Sequence, residues 1–278
     1  MSKRASVMRK VASSKLFVSE PPPEWFGNGP NPVKDPTWSN GNWLKSRFHF
    51  SFAEYSGPFS EFGVLRVMND DLVQPFRGFG THPHRDMEIV TYVVEGALTH
   101  KDSEGNEETL GPGSVQFMSA GTGIRHSEGN PKGDSPLRFI QSWIKPRRSC
   151  LKPNYGSATG CDCEDKFARI VADWDDPTAS DVKVRVHQDI NGYATETKKD
   201  LVFDLAEGRQ AYCLCVEGSV DVKDDTAAKK QALSLERHDA VELYGPLHLT
   251  FAPQVAAHLL IFEMAKTPGA GRPDAEEA

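Results

Sequence analysis

Several things are scarce in this sequence, and each absence excludes something. No apolar run approaches the 18 or so residues that a membrane-spanning helix needs, so the chain is expected to be soluble, with no membrane partner. Basic residues do not dominate: 32 Lys and Arg stand against 39 Asp and Glu, for a net charge of −7, and they are scattered among the acids. No basic stripe is available for a phosphate backbone, which argues against direct nucleic-acid binding. Five cysteines is an odd count in a chain without a secretory apolar segment, so a disulfide framework is not expected and an intracellular, reducing environment is. Long segments with helical periodicity are also missing.

Turns and short strands fill the space. Residues 18–44 are dense in Pro, Gly and Asn, and read as an irregular arm. The nineteen residues before Glu20 carry Lys3, Arg4, Arg9, Lys10 and Lys15 and no acid. A solvated basic arm explains that composition, with organellar import as the lesser reading. From about Phe48 onward, β-rich runs such as FGVLRVM, MEIVTYVVE, VQFM and LRFIQSWI alternate with turn residues. A second block repeats this texture, with FARIVAD, VKVRVHQDI, LVFDLAE, AYCLCVEGSVDV and HLLIFEMA. Strands at such spacing predict all-β sandwiches or barrels. YVVEGALTH at 92–100 and YCLCVEGSVDV at 212–222 share strand, Glu-Gly turn and strand, which implies an internal duplication. The expected division is an arm over 1–40, one β-domain over 41–148, a linker over 149–168, a second β-domain over 169–265 and a disordered tail over 266–278.

Chemistry concentrates in two short motifs. His82 and His84 in GFGTHPHRDME are two residues apart, so on a strand both imidazoles face one side. Pro83 between them cannot donate to a ladder, which predicts an edge position. About forty residues later GTGIRHSEGNP offers His126 and Glu128 at the same spacing. Brought together, three imidazoles and a carboxylate suit a divalent ion such as iron, manganese, nickel, copper or zinc and leave positions open for chemistry. Glu88, four residues after His84, is the rival carboxylate. CDC at 161–163 and CLC at 213–215 are weaker metal signals, and Cys213 and Cys215 read as core residues. Phe79, Phe117, Phe139 and Trp143 are candidates to line an apolar pocket.

The stretch GFGTHPHRDMEIVTYVVEGALTHKDSEGN followed by LGPGSVQFMSAGTGIRHSEGNP resembles the pirin family of the cupin superfamily, especially its quercetin 2,3-dioxygenase-like members. The resemblance runs from about Gly41 to Ile144, with NDD at 69–71 and SW at 142–143 also fitting. It implies a bicupin, two tandem antiparallel jelly-roll β-barrels, with one iron in the N-terminal barrel held by His82, His84, His126 and Glu128. It therefore favours Glu128 over Glu88 and implies no metal in the C-terminal barrel, where AEGRQAYCLC lacks histidine. An arm longer than in compact members and an insertion at 223–234 depart from the pattern.

Two functions are compatible with the resemblance. One is a dioxygenase acting with dioxygen on a flavonol-like or other phenolic substrate, with Glu128 as both ligand and catalytic base. The other is an iron-dependent redox-sensing regulator with protein partners and little catalysis, in the cytoplasm or the nucleus. Beside these two functions stands a third reading, a stress-related cupin whose metal is structural or vestigial.

Overall fold

The computed structural model describes residues 7–31, 42–225 and 231–266. The expected tail over 266–278 and the centre of the supposed insertion therefore lie almost wholly outside the described residues.

Among the described residues the chain is built from strands joined by turns. The first half holds β1 (Val7–Val11), β2 (Phe17–Ser19), β3 (Leu44–Phe48), β4 (Leu65–Val73), β5 (Gly78–His84) and β6 (Glu88–Glu95). It continues with β7 (Leu98–Asp102), β8 (Glu107–Leu110), β9 (Val115–Ser119), β10 (Ile124–Gly129), β11 (Leu137–Ile144) and β12 (Asn154–Ala158). The second half holds β13 (Ala168–Asp173), β14 (Val184–Val186), β15 (Ile190–Thr197), β16 (Leu201–Leu205) and β17 (Arg209–Glu217). It ends with β18 (Ser219–Asp224), β19 (Gln231–Glu236), β20 (Ala240–Tyr244), β21 (Leu247–Pro253) and β22 (Ala257–Ala265). Among the described residues no helix is long and apolar enough to cross a membrane.

These strands form two sandwiches of the same plan. The first pairs a seven-stranded sheet, order β12-β9-β6-β11-β4-β3-β2, with a four-stranded sheet, order β5-β10-β7-β8. The second pairs β1-β20-β17-β22-β15-β13-β14 with β16-β21-β18-β19. The expected closed barrels are thus open jelly-roll sandwiches, a two-cupin architecture. The duplication is visible in detail at the shared Glu-Gly phrase. Gly96 and Gly218 both adopt positive φ, +81° and +77°, where β6 turns into β7 and β17 into β18. A Cβ on either would meet a carbonyl oxygen at 2.1 Å or 1.9 Å, so both the fold angle and the close approach require glycine.

The two large sheets pack face to face, and this explains why β6, β11, β17 and β22 are buried on most residues of both faces. One side of each fills its own sandwich; the other meets the partner sheet. Val90, Tyr92, Ile140 and Ile144 join Tyr212, Leu214, Leu260 and Phe262 in one core. The alternate residues Cys213 and Cys215 pack inside the second sandwich, as expected of buried free cysteines. Polar pairs cross the same interface: His49 Nδ1 lies 2.9 Å from Tyr212 Oη, and Tyr92 Oη lies 3.0 Å from His258 Nε2. Arg138 on β11 is the most heavily bonded. It donates to both oxygens of Asp70 at 2.8 and 2.7 Å, to Val216 O at 2.9 Å, and to Glu217 across the interface.

Two expected segments are corrected. The arm is not irregular throughout: β1 pairs with β20 on the edge of the second sandwich, and β2 pairs with β3. The supposed linker contains β12, which supplies the edge of the first sandwich beside β9.

Candidate metal centre

β5 is the edge of the four-stranded sheet, the position that Pro83 allows, and β10 is its only neighbour. Antiparallel pairing sets His126 opposite His82 and Ile124 opposite His84. The strand period turns His82 and His84 to one side, and the three imidazoles converge there with ligand nitrogens within 4.8 Å of one another.

The donor set is in the right chemical state to hold a cation. His82 Nδ1 lies 2.8 Å from the Gly80 carbonyl, which can only accept, so Nδ1 carries the proton and Nε2 the free lone pair. That Nε2 faces His126 Nε2 at 3.1 Å. Two nitrogens about 2.1 Å from one ion and at right angles stand about 3.0 Å apart, so the spacing fits. Burial, reinforced by the neighbouring imidazoles, pushes His84 and His126 down to about 3, which keeps both neutral at physiological pH.

Glu128 stands beside this trio without joining it at the same spacing. Its carboxylate groups instead with His126 and His100. A bulge in β10 between His126 and Glu128 shifts the register so that Glu128 pairs with Phe79. Three donors from the facing sheet orient the carboxylate: Thr91 Oγ1 at 3.2 Å and Gln116 Nε2 at 2.9 Å on Oε1, and Gln141 Nε2 at 2.6 Å on Oε2. Gln141 is itself fixed, accepting from Trp143 Nε1 at 3.1 Å.

Glu88, the rival, starts β6 in the other sheet and faces the opposite way. Its Oε2 accepts from Ser119 Oγ at 2.6 Å, and burial pushes it up to about 7. Strand parity counted from His84 does not survive the turn at 85–87, after which the chain changes sheets.

His100 is the residue that sequence reasoning missed. It is fully buried on β7, directly opposite Glu128, and stacks on Tyr155 with ring centroids 4.4 Å apart. Its Nε2 lies 3.1 Å from Asp102 Oδ2, while its Nδ1 and that of His126 are buried without a hydrogen-bond partner. Burial alone would raise Asp102, but hydrogen bonds from Asn106 and His100 outweigh it and hold the carboxyl low. The available signal was His100-Lys101-Asp102, an HxD on the strand after the Gly96 turn.

A pocket of about 520 Å³ opens beside the histidines, reaching His82, His84 and Glu128. Of the four expected aromatics, Phe79 and Trp143 line it. Phe117 belongs to the core between the sandwiches, and Phe139 sits behind Phe79, with ring centroids 6.3 Å apart. Phe26, Phe48 and Phe52 complete the apolar wall, the first of them contributed by the arm.

Asp71, on β4, also lines the pocket and is 2 % exposed. Burial pushes its carboxyl up to about 8, opposed by a hydrogen bond from Ser46 and helped by the nearby Asp70 and Glu128 charges. A carboxyl raised on folding contributes stability that is complete below the unfolded value near 4 and lost as pH rises toward 8. Asp71→Asn removes this dependence. Relative to wild type, the variant is expected to gain a few kcal/mol between pH 4 and pH 8, at about 1.4 kcal/mol per unit. Urea midpoints across that range test it, and a constant offset would refute the buried-acid assignment.

Comparison with known proteins agrees with this geometry. Residues 33–144 match the family described as Pirin, and residues 176–264 match the quercetinase C-terminal cupin domain. A protein named quercetin 2,3-dioxygenase from Escherichia coli K12 is 40% identical over 210 residues, covering 74% of this chain and 89% of the relative. A pirin-like protein from Caulobacter vibrioides is 39% identical over 183 residues, 65% of this chain and 78% of its own. Among solved structures, the Escherichia coli bacterial pirin YhhW in complex with nickel(II) superimposes with a TM-score of 0.77 at 30% identity, covering 94% of this chain and 100% of that one. These relatives are bacterial, and they lend no support to a nuclear location.

Proposed function

This chain belongs to the pirin family, and from that premise we propose that it is a mononuclear metal-dependent dioxygenase that opens a flavonol-like or related phenolic substrate. The observation that carries the reading is the His82, His84 and His126 cluster beside an aromatic-walled pocket. Relatives named quercetin 2,3-dioxygenase support the reaction class.

In this reading His82, His84 and His126 hold the ion, with Glu128 as the fourth residue of the set. Iron is the proposed metal; the donor set accepts nickel, manganese, copper or zinc as well. When bound, the metal supplies a Lewis acid that makes a substrate hydroxyl more acidic and a centre for dioxygen chemistry. The protein does the rest. Phe79, Trp143 and their aromatic neighbours hold a planar ring and keep water from it. Glu128 Oε2 receives the hydroxyl proton, and Gln141, pinned by Trp143, keeps that oxygen aimed.

Metal analysis of the purified chain combined with oxygen uptake on quercetin tests the proposal. About one metal ion per chain and uptake that requires quercetin are expected. Glu128→Gln should lower turnover by at least about a hundredfold, the usual scale for a general base, while the chain keeps some metal. Full metal occupancy without any oxygen uptake would favour the regulatory reading instead.

A further inference from the structure

The pocket has a second polar feature that neither the histidines nor Glu128 explain. β3 pairs with β4 so that Ser46 lies directly opposite Asp71, and Asn69, two residues before Asp71, faces the same way. All three side chains line the pocket. They are 1 %, 2 % and 4 % exposed for Ser46, Asp71 and Asn69. Yet Asn69 Oδ1 has no hydrogen-bond partner, and Ser46 Oγ and Asp71 Oδ1 have none except each other. Buried polar atoms in folded proteins are overwhelmingly paired, and leaving one unsatisfied costs about 1–3 kcal/mol. An open amide oxygen beside the isolated Ser46–Asp71 pair, on a wall whose other polar groups, Ser19 with Glu54 and Gln141 with Glu128, bond each other, calls for a ligand that completes it.

We propose that Ser46, Asn69 and Asp71 form a second anchoring point in the pocket, which recognises a hydroxyl group on the part of a planar phenol remote from the end held near the histidines. This rests on the phenolic-substrate reading above and names the substrate class more closely: a neutral aromatic with hydroxyls at both ends.

The placement follows from the sheet. Asn69 is the cross-strand neighbour of Gln141, whose amide holds Glu128, and Asp71 is opposite Phe139, one strand repeat or about 6.6 Å farther along. The anchor thus begins beside the Glu128 support and runs away from it. A hydroxyl matches the three groups because it both donates and accepts. The Asn69 carbonyl oxygen accepts, the Ser46 hydroxyl does either, and a protonated Asp71 does either. A carboxylate ligand fits poorly, since the charges of Asp70 and Glu128 already disfavour an ionised carboxyl at Asp71. The anchor also accounts for the sequence NDD: Asp70 points to the interface and Arg138, and its two neighbours point into the pocket.

The test measures binding without turnover. The full chain is loaded with nickel, oxygen is removed, and dissociation constants are measured calorimetrically for quercetin and for 3-hydroxyflavone, which lacks the remote hydroxyls. Wild type should bind quercetin about tenfold more tightly, the effect of roughly one hydrogen bond. Asp71→Ala and Ser46→Ala should each weaken quercetin by about that factor and leave 3-hydroxyflavone within about twofold, while Asp71→Asn keeps most of the preference. Equal loss for both flavonols in both alanine variants, or no loss for either, overturns the anchor and leaves the phenolic reading standing. A wild-type protein that binds neither flavonol overturns both.

Discussion

Replacing His84 with alanine is expected to strip the protein of its metal. Substitutions that merely disturb a ligand's hydrogen-bond partner lower metal affinity by about 10–100-fold, and removing a ligand outright should exceed that. Occupancy after dialysis should fall from about one ion per chain to below about a tenth. The neighbours make the case specific. His84 is one of three imidazoles within ligand spacing, and the other such group, His100, His126 and Glu128, shares only His126 with it. His84 also packs edge-on against Trp143, with ring centroids 4.7 Å apart, so the fluorescence of the variant should change along with its metal content. His82→Ala and His126→Ala should behave alike, which guards against a purely local packing effect. Glu88→Gln is the control and should keep its metal, because Glu88 faces Ser119 in the other sheet. Full occupancy in the His84 variant would sink the ligand assignment.

A comparable loss, this time of stability, is expected from Arg138→Met. Arg138 is almost completely buried, and the two bonds it makes to Asp70 hold that carboxyl far below the usual range even though burial pushes the other way. His238, from the second sandwich, adds a bond to the same oxygen at 2.6 Å. Deleting the arginine leaves a buried charge with little compensation, a change that costs about 3–5 kcal/mol. The sign with pH is informative. A depressed carboxyl contributes stability that is present above the unfolded value near 4 and lost as pH falls through its low folded value. Without Arg138 the burial effect dominates, so the variant's deficit should be largest at neutral pH and shrink below about pH 4. Asp70→Asn in the Arg138→Met background should recover most of the loss. Urea denaturation at pH 7 and pH 4 measures both effects, and a deficit that does not change with pH would contradict the account.

Much of this was legible in residues alone. Alternating apolar strands, glycine turns and the repeated Glu-Gly phrase predict two tandem β-domains, and the HxH and HxE motifs predict where three imidazoles meet. What failed to show did so for identifiable reasons. A strand's period fixes which residues share a face but not which sheet the strand joins, so Glu88 looked like a partner of His84 until the turn between them carried it elsewhere. His100 was overlooked because its HxD with Asp102 is a weak signal by itself, and its relation to Glu128 exists only through the pairing of β7 with β10. The expected site of a second HxH was placed at AEGRQAYCLC, yet the strand equivalent to β5 is β16, LVFDL, whose Phe203 and Leu205 fill the second sandwich with apolar side chains. Ser46 gave no signal and Asn69 only its place in NDD, since burial in the pocket wall is what distinguishes them.

The one edge strand that the second sandwich borrows means that the halves of this duplicated chain cannot be cut apart at any single peptide bond. The second sandwich takes β1 from the far end of the sequence, and β1 covers β20, which would otherwise present open backbone groups to any passing strand. A fragment beginning after β12 would carry all the residues of the second sheet except its hem. Transplanting that half into another protein therefore requires the first eleven residues to travel with it, and deleting those residues from the whole chain should create a self-associating protein whose histidine cluster is untouched.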